Sequence, residues 1–140
     1  MPVEAYLKEN ANKFEQDLFR LLEIPSVSTD PERKSEVARC AEEVANQLKE
    51  AGLDSVEIHP TPGHPVVLGS WLKAPGAPTV LIYGHYDVQP EDPIELWTSP
   101  PFQPTVRDGK VFARGATDDK GQFLAHIKAV QTLLKTVGAL

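Results

Sequence analysis

Apolar residues recur at helical spacing along three stretches of the chain. Leu7, Ala11, Phe14, Leu18 and Leu21 form one stripe, and Val37, Ala41, Val44, Leu48 and Ala51 a second. Phe123, Ile127, Val130, Leu134 and Val137 form a third. Ahead of the second stripe, Asp30-Pro31 suits an N-cap followed by proline at the first helical position, and Gly52 suits the end of that helix. Between the second and third stripes the pattern shortens to runs rich in β-branched residues: Val56 to Ile58, Val66 to Leu72 and Val80 to Tyr83. Val106-Arg-Asp-Gly-Lys-Val111 adds a hairpin signal, because Asp-Gly accepts the positive φ angles of a tight turn. The order helix, helix, several strands, helix predicts an α/β fold with helices packed on a mixed β-sheet.

Chemistry gathers at the ends of two of these elements. Val80 to Tyr83 leads through Gly84 to His85-Tyr86-Asp87. If an extended backbone continues, His85 and Asp87 point to the same side, since side chains alternate with period two. Imidazole is the commonest metal ligand, and a carboxylate on its other ring nitrogen fixes the tautomer and raises its basicity. A surface histidine beside a turn-forming aspartate would leave the same local pattern. After the hairpin, Arg114-Gly-Ala-Thr-Asp-Asp-Lys-Gly121 places Asp118 where a loop feeds the third helix. Asp119 and Thr117 are candidate caps for that helix, and helix-start preference alone accounts for acids there.

Together the two motifs resemble the M20 family of metallopeptidases, and most closely its dipeptidase branch of carnosinase-like and nonspecific dipeptidases. Gly84-His-Tyr-Asp-Val-Gln-Pro90 is similar to the family's first metal motif, and Gly115-Ala-Thr-Asp-Asp-Lys-Gly121 to its second. Trp97-Thr-Ser-Pro-Pro-Phe102 resembles the segment between them, and Leu21-Leu-Glu-Ile-Pro-Ser-Val-Ser28 the end of its first helix and the following loop. The resemblance runs from about Phe14 to Leu140. It implies that residues 1–140 are the N-terminal portion of a zinc-peptidase-like, di-metal catalytic domain. It also implies His85 as a ligand to one ion, Asp118 as the bridge between two, and Asp87 as the active-site residue that orients His85. The Asp118–Asp119 bond is implied to be cis. The implied cofactors are two divalent ions, zinc ahead of manganese or cobalt.

The activity implied is hydrolysis of the amide bond of dipeptides or small peptides by metal-activated water. Deacylation or desuccinylation of N-acyl amino acids is the alternative within the family. A non-catalytic fragment or binding protein is the alternative outside it. In the family the catalytic glutamate, the remaining ligands and a lid domain that forms homodimers come later in the chain, and none of those positions falls within residues 1–140. With two ligands the segment alone is expected to be inactive, since even a catalytic zinc normally has three protein ligands. An unpaired sheet edge is expected to invite aggregation.

Composition narrows the partners. A chain of 140 residues, 41% apolar, suits one domain. A net charge of −6 argues against nucleic acid. No apolar run approaches the ~20 residues that span a membrane. The polar, charged N-terminus shows no secretory signal, so a cytoplasmic location is expected. Cys40 has no partner for an internal disulfide and is expected to be a packing residue. His59, His64 and His126 match no ligand position, which leaves surface or packing roles. Glu91, Asp92 and Glu95 are expected to form a solvated acidic loop.

Overall fold

All of residues 1–140 are described by the structure, a computed structural model. Helix α1 spans Val3–Leu22, α2 Lys34–Ala51 and α3 Lys120–Thr136. Strands β1, Ser55–His59, and β2, Val66–Ser70, pair antiparallel from Ser55 opposite Ser70 to His59 opposite Val66. Strands β3, Thr105–Arg107, and β4, Lys110–Phe112, form a second antiparallel pair. The Asp108-Gly109 turn between them takes φ of 51° and 72°, the positive values that the dipeptide signals. Helix α2 lies against the β1–β2 pair and against α1 and α3.

The caps follow from local chemistry. The Asp30 carboxylate accepts from the Glu32 N–H at 3.0 Å and starts a short 3₁₀ turn, Pro31–Arg33, which runs on into α2. Gly52 ends α2 at φ 97°, a left-handed conformation that glycine adopts without a steric penalty. The three stripes meet in a core of Leu21, Ile24, Cys40, Val44, Ala51, Phe123, Leu124 and Ile127. Helices α1 and α3 run antiparallel, as contacts from Tyr6 to Gln131 and from Leu21 to Lys120 show. Leu7 and Val137 therefore sit at the same open end of the pair, and both are exposed.

Two expectations about strands change. The run Val80 to Tyr83 pairs with no neighbour, and Val80, Leu81 and Tyr83 are 78%, 85% and 84% exposed. Apolar, β-branched composition makes a strand only where another backbone meets its N–H and C=O groups, and here none does. In place of one mixed sheet there are two separate antiparallel pairs and a single parallel bridge, Val27 to Val88. The acidic loop also differs. Glu91 is partly buried and grips the Arg33 guanidinium through both oxygens, at 2.5 and 3.0 Å, while Asp92 and Glu95 are exposed.

Between the helices the interior is polar as well as apolar. Asp17 is fully buried and receives Lys128 at 2.5 Å, Lys13 at 2.9 Å and Arg20 at 2.9 Å. Gln47, also fully buried, donates from α2 to the Asp17 carbonyl at 2.9 Å. Burial pushes the Asp17 carboxyl up, but the ammonium groups of Lys128 and Lys13 outweigh it and hold the carboxyl below its ordinary range.

Removing the Asp17 carboxylate strands Lys128 with only the Gln131 side chain as partner. Asp17→Leu is expected to cost roughly 3–5 kcal/mol in urea unfolding, the usual penalty for breaking a buried pair from one side. Lys13→Ala removes a half-exposed partner and should cost less than about 1 kcal/mol. Because the folded carboxyl is depressed, its contribution is complete above the ordinary carboxylate range and fades as pH falls through the folded value. Wild-type stability should fall on acidification in that window, while the Asp17→Leu curve should be flatter.

Candidate metal centre

Residues 26–28 lie parallel to residues 86–88 and fix the first motif from one side. The Val88 N–H donates to the Ser26 carbonyl at 2.9 Å, and the Ser26 hydroxyl donates to the Tyr86 carbonyl at 2.7 Å. Alternation along this segment separates the side chains. Tyr86 packs against the core with its hydroxyl donating to the Pro65 carbonyl, and burial pushes that hydroxyl up to about 12. His85 and Asp87 face the other way, toward each other. His85 Nδ1 lies 3.0 Å from Asp87 Oδ1 and 3.1 Å from the Asp87 carbonyl. Both neighbours are acceptors, which suits a proton on Nδ1.

The second motif reaches the same place from the start of α3. Asp118 Oδ1 lies 2.9 Å from His85 Nε2 and its other oxygen accepts no hydrogen bond, while the side chain is 76% exposed. The Asp118–Asp119 peptide is cis, as the family resemblance implies. Asp119 is the residue before α3 but does not cap it with its side chain. Its Oδ2 accepts the His85 N–H at 3.0 Å instead, tying the two motifs through their backbones. Thr117 makes no cap either. Burial alone would lower the His85 pKa, but hydrogen bonds to Asp118 and Asp87 outweigh it and raise the value.

Close packing explains the motif glycines. A Cβ on Gly84 would stand 2.6 Å from the Phe123 Cβ, and one on Gly121 would stand 2.1 Å from the Ala116 carbonyl oxygen. Lys120 is fully buried and donates to the Leu21 and Ile24 carbonyls at 2.8 and 2.7 Å, so the second motif is pinned to the end of α1. The Trp97 to Phe102 segment serves as a clamp. The Trp97 ring nitrogen donates to the Glu91 carbonyl at 2.8 Å, Arg114 stacks on Trp97, and Arg33 stacks on Phe102. A cavity of about 230 Å³ opens beside Asp118, lined also by Gln89, Arg114 and Thr117. A larger groove of about 300 Å³ among Arg20, Glu23, Arg39, Glu42 and Glu43 is charged surface away from both motifs.

The donor set meets one test for a cation. A lone pair on Nε2 facing a carboxylate oxygen at 2.9 Å is repulsive unless a proton or a metal ion lies between them. Two donors of one tetrahedral zinc stand roughly 3.3 Å apart, given bonds of about 2.0–2.2 Å. The chain supplies only part of such a site, because nowhere do three or more His, Cys, Asp or Glu side chains gather in a metal-holding group. His59 lies 3.4 Å from Glu57, His64 bonds the Ser28 carbonyl at 2.9 Å, and His126 is exposed. Cys40 is buried, which raises its pKa, and its thiol faces the Tyr86 carbonyl, as suits a packing residue. Sequence reasoning assigned no role to Ser28, Lys120 or Asp119's bond to His85. Each lies inside a motif that was singled out, but the partner comes from a distant segment.

Fold and site together define a helix-rich α/β unit in which His85 meets Asp87 on one side and Asp118 on the other. The sequence profile of peptidase family M20/M25/M40 matches residues 81–139. A Cys-Gly metallodipeptidase of Schizosaccharomyces pombe is 34% identical over 135 residues, covering 89% of this chain and 28% of that protein. A succinyl-diaminopimelate desuccinylase of Delftia acidovorans is 36% identical over 119 residues, covering 82% and 29%. The crystal structure of human carnosine dipeptidase 1 superposes with a TM-score of 0.86 at 34% identity, covering 94% of this chain and 30% of that one. The chain belongs to the M20 peptidase family. It spans less than a third of the length of these relatives.

The Ala116 oxygen that an added methyl would strike belongs to backbone and cannot swing aside. Gly121→Ala is therefore expected to cost about 3 kcal/mol or more, by overpacking, and to displace Asp118 from His85. Thermal unfolding and the amide shifts of residues 115–121 would check this. Unchanged values would contradict the close approach.

Proposed function

We propose that this segment is the ligand-bearing front part of a metal-dependent hydrolase that cleaves the amide bond of dipeptides or small peptides. The observation that carries the reading is the placement of His85 Nε2 2.9 Å from the Asp118 carboxylate while Nδ1 faces Asp87 at 3.0 Å. His85 and Asp118 would hold a divalent ion, zinc ahead of manganese or cobalt. The second Asp118 oxygen is free, which suits sharing that carboxylate between two ions. Bound divalent ions make water nucleophilic at neutral pH and polarise the substrate carbonyl. Asp87 keeps the proton on Nδ1 and orients the ring, and Asp119 fixes the His85 backbone. Asp87 has both oxygens engaged, by His85 and Ser28, which leaves it no free oxygen for general-base work. That base, and the further ligands, are assigned to residues outside 1–140. The cavity lined by Gln89, Arg114, Thr117 and Asp118 is open to a small polar substrate.

Dipeptidases among the relatives support a peptide substrate. The desuccinylase match supports the second reading, an N-acyl amino acid deacylase using the same ions. The protein bearing this segment, supplied with Zn²⁺, should be assayed on Cys-Gly, carnosine and succinyl-diaminopimelate. A preference for a dipeptide of at least about 100-fold in kcat/KM is expected, within what a substrate-matched polar site can achieve. The reverse preference would favour the deacylase.

Chelation should abolish turnover and Zn²⁺ should restore it, whereas full activity in a metal-free preparation would overturn the mechanism. Asp87→Ala is expected to lower metal affinity or activity about 10–100-fold, as losses of a ligand's supporting partner do. Unchanged metal content and turnover would remove Asp87 from its assigned role.

A further inference from the structure

We propose that Arg114 is the specificity-determining residue of this site, binding a free carboxylate that lies one residue beyond the scissile amide. The inference deepens the hydrolase reading above and rests on it. Four arginines have partners within the chain. Arg20 meets Asp17 and Glu43, Arg33 grips Glu91, Arg39 pairs with Glu36, and Arg107 donates to Ser99 at 2.8 Å. Arg114, the fifth, makes no ion pair, and its side chain reaches no acceptor although the Nε–H is buried. Nearby Glu91 has both oxygens taken by Arg33. A buried charged donor without an acceptor is costly, and a partner from outside the chain accounts for its place.

The residue is held firmly. The Arg114 N–H donates to the Pro101 carbonyl at 2.7 Å, and a Cβ on the adjacent Gly115 would stand 2.8 Å from Val88 Cγ1. The guanidinium lies over the Trp97 ring, 5.2 Å from its centroid, and Trp97 is tied in turn to the Glu91 carbonyl. Stacking occupies one face of the group and leaves its N–H edge for a planar partner. The side chain lines the cavity of about 230 Å³ that it shares with Gln89, Thr117 and Asp118. Gln89 and Thr117 are neutral, and Asp118 is the carboxylate assigned to the ion, so Arg114 is the one positive charge on that wall. A guanidinium takes a carboxylate through two parallel hydrogen bonds, which fixes orientation as well as charge. With an amide carbonyl at the ion beside Asp118, a carboxylate at Arg114 sits at the other end of a small molecule. Dipeptides and N-acyl amino acids both carry that group one residue beyond the bond to be cut. Arg114 therefore selects the class –CO–NH–CHR–COO⁻ rather than either member of it.

The test uses the metal-loaded protein that bears this segment. Cys-Gly, carnosine and N-acetylglycine are compared with their C-terminal amides, which keep the scissile bond and lose the negative charge. Wild type should prefer each acid that it hydrolyses by about 10–100-fold in kcat/KM, the scale of a hydrogen bond to a charged group. In Arg114→Met that preference should collapse, mainly through a raised KM for the acid. Arg114→Lys, which keeps the charge without the fork, should fall between the two. Calorimetry reads the same contact without turnover: wild type should bind N-acetylglycine more tightly than N-acetylglycinamide, and Arg114→Met should bind both alike. Should Arg114→Met fail to fold, Arg114→Lys carries the comparison and should show a reduced preference for the acid. Equal handling of acid and amide by wild type overturns the proposal. So does an equal fall for both in a folded variant, the mark of an arginine that only supports the fold. A protein that hydrolyses no dipeptide or N-acyl amino acid sinks the hydrolase reading instead, and the calorimetric comparison still decides the role of Arg114.

Discussion

Where the chain leaves α1, the Leu21, Ile24 and Ser26 carbonyls accept hydrogen bonds from both candidate motifs, the first two in addition to local backbone donors. Lys120 reaches the Leu21 and Ile24 carbonyls, and the Val88 N–H reaches Ser26. A backbone carbonyl has two lone pairs, so the end of one helix holds two distant segments as well as its own turn. His85 and Asp118 are drawn together as a result. The same few groups terminate α1, seat the first motif beside the core and pin the start of α3. Site geometry and fold are consequently not separable here, because the hydrogen bonds that complete one also define the other.

Much of the architecture was legible because it rests on local rules. The three apolar stripes became three helices, with Leu21, Val44, Ala51, Phe123 and Ile127 in the core, and Asp30, Gly52 and Asp108-Gly109 took the caps and turn their chemistry favours. The pairing of His85 with Asp87 was legible for the same reason, since period-two alternation is a property of the backbone. What escaped was set by partners far away in sequence. Val80 to Tyr83 reads as a strand but has nothing to pair with, and Glu91 reads as solvated but meets Arg33 across 58 positions. Asp119 looked like a cap and is instead an acceptor for the His85 N–H. No local pattern contains that information.

The interior between α1, α2 and α3 illustrates a different choice. An apolar contact would be indifferent to small slips of one helix along another. Asp17, Lys128 and Gln47 are not, because each hydrogen bond has a narrow range of length and angle. Such groups contribute little net stability compared with well-packed hydrocarbon, yet they disfavour every register that leaves one of them unpaired. Since α3 begins at the second motif and α1 ends beside the first, a slip between these helices would separate the two halves of the candidate centre. The buried polar set thus acts on the site from a distance, through rigid helices.

Gly84 joins two stretches of opposite character. Behind it lie four residues whose backbone pairs with no other strand and whose side chains are exposed; ahead of it lies the imidazole. Any polypeptide that added itself as a strand along Val80 to Tyr83 would fix the backbone that leads directly into His85. Ion affinity and strand addition would then be thermodynamically linked, each strengthening the other by an equal factor. A divalent ion bound at such a site would behave less as a cargo loaded into a finished cavity than as one of the forces that finish it.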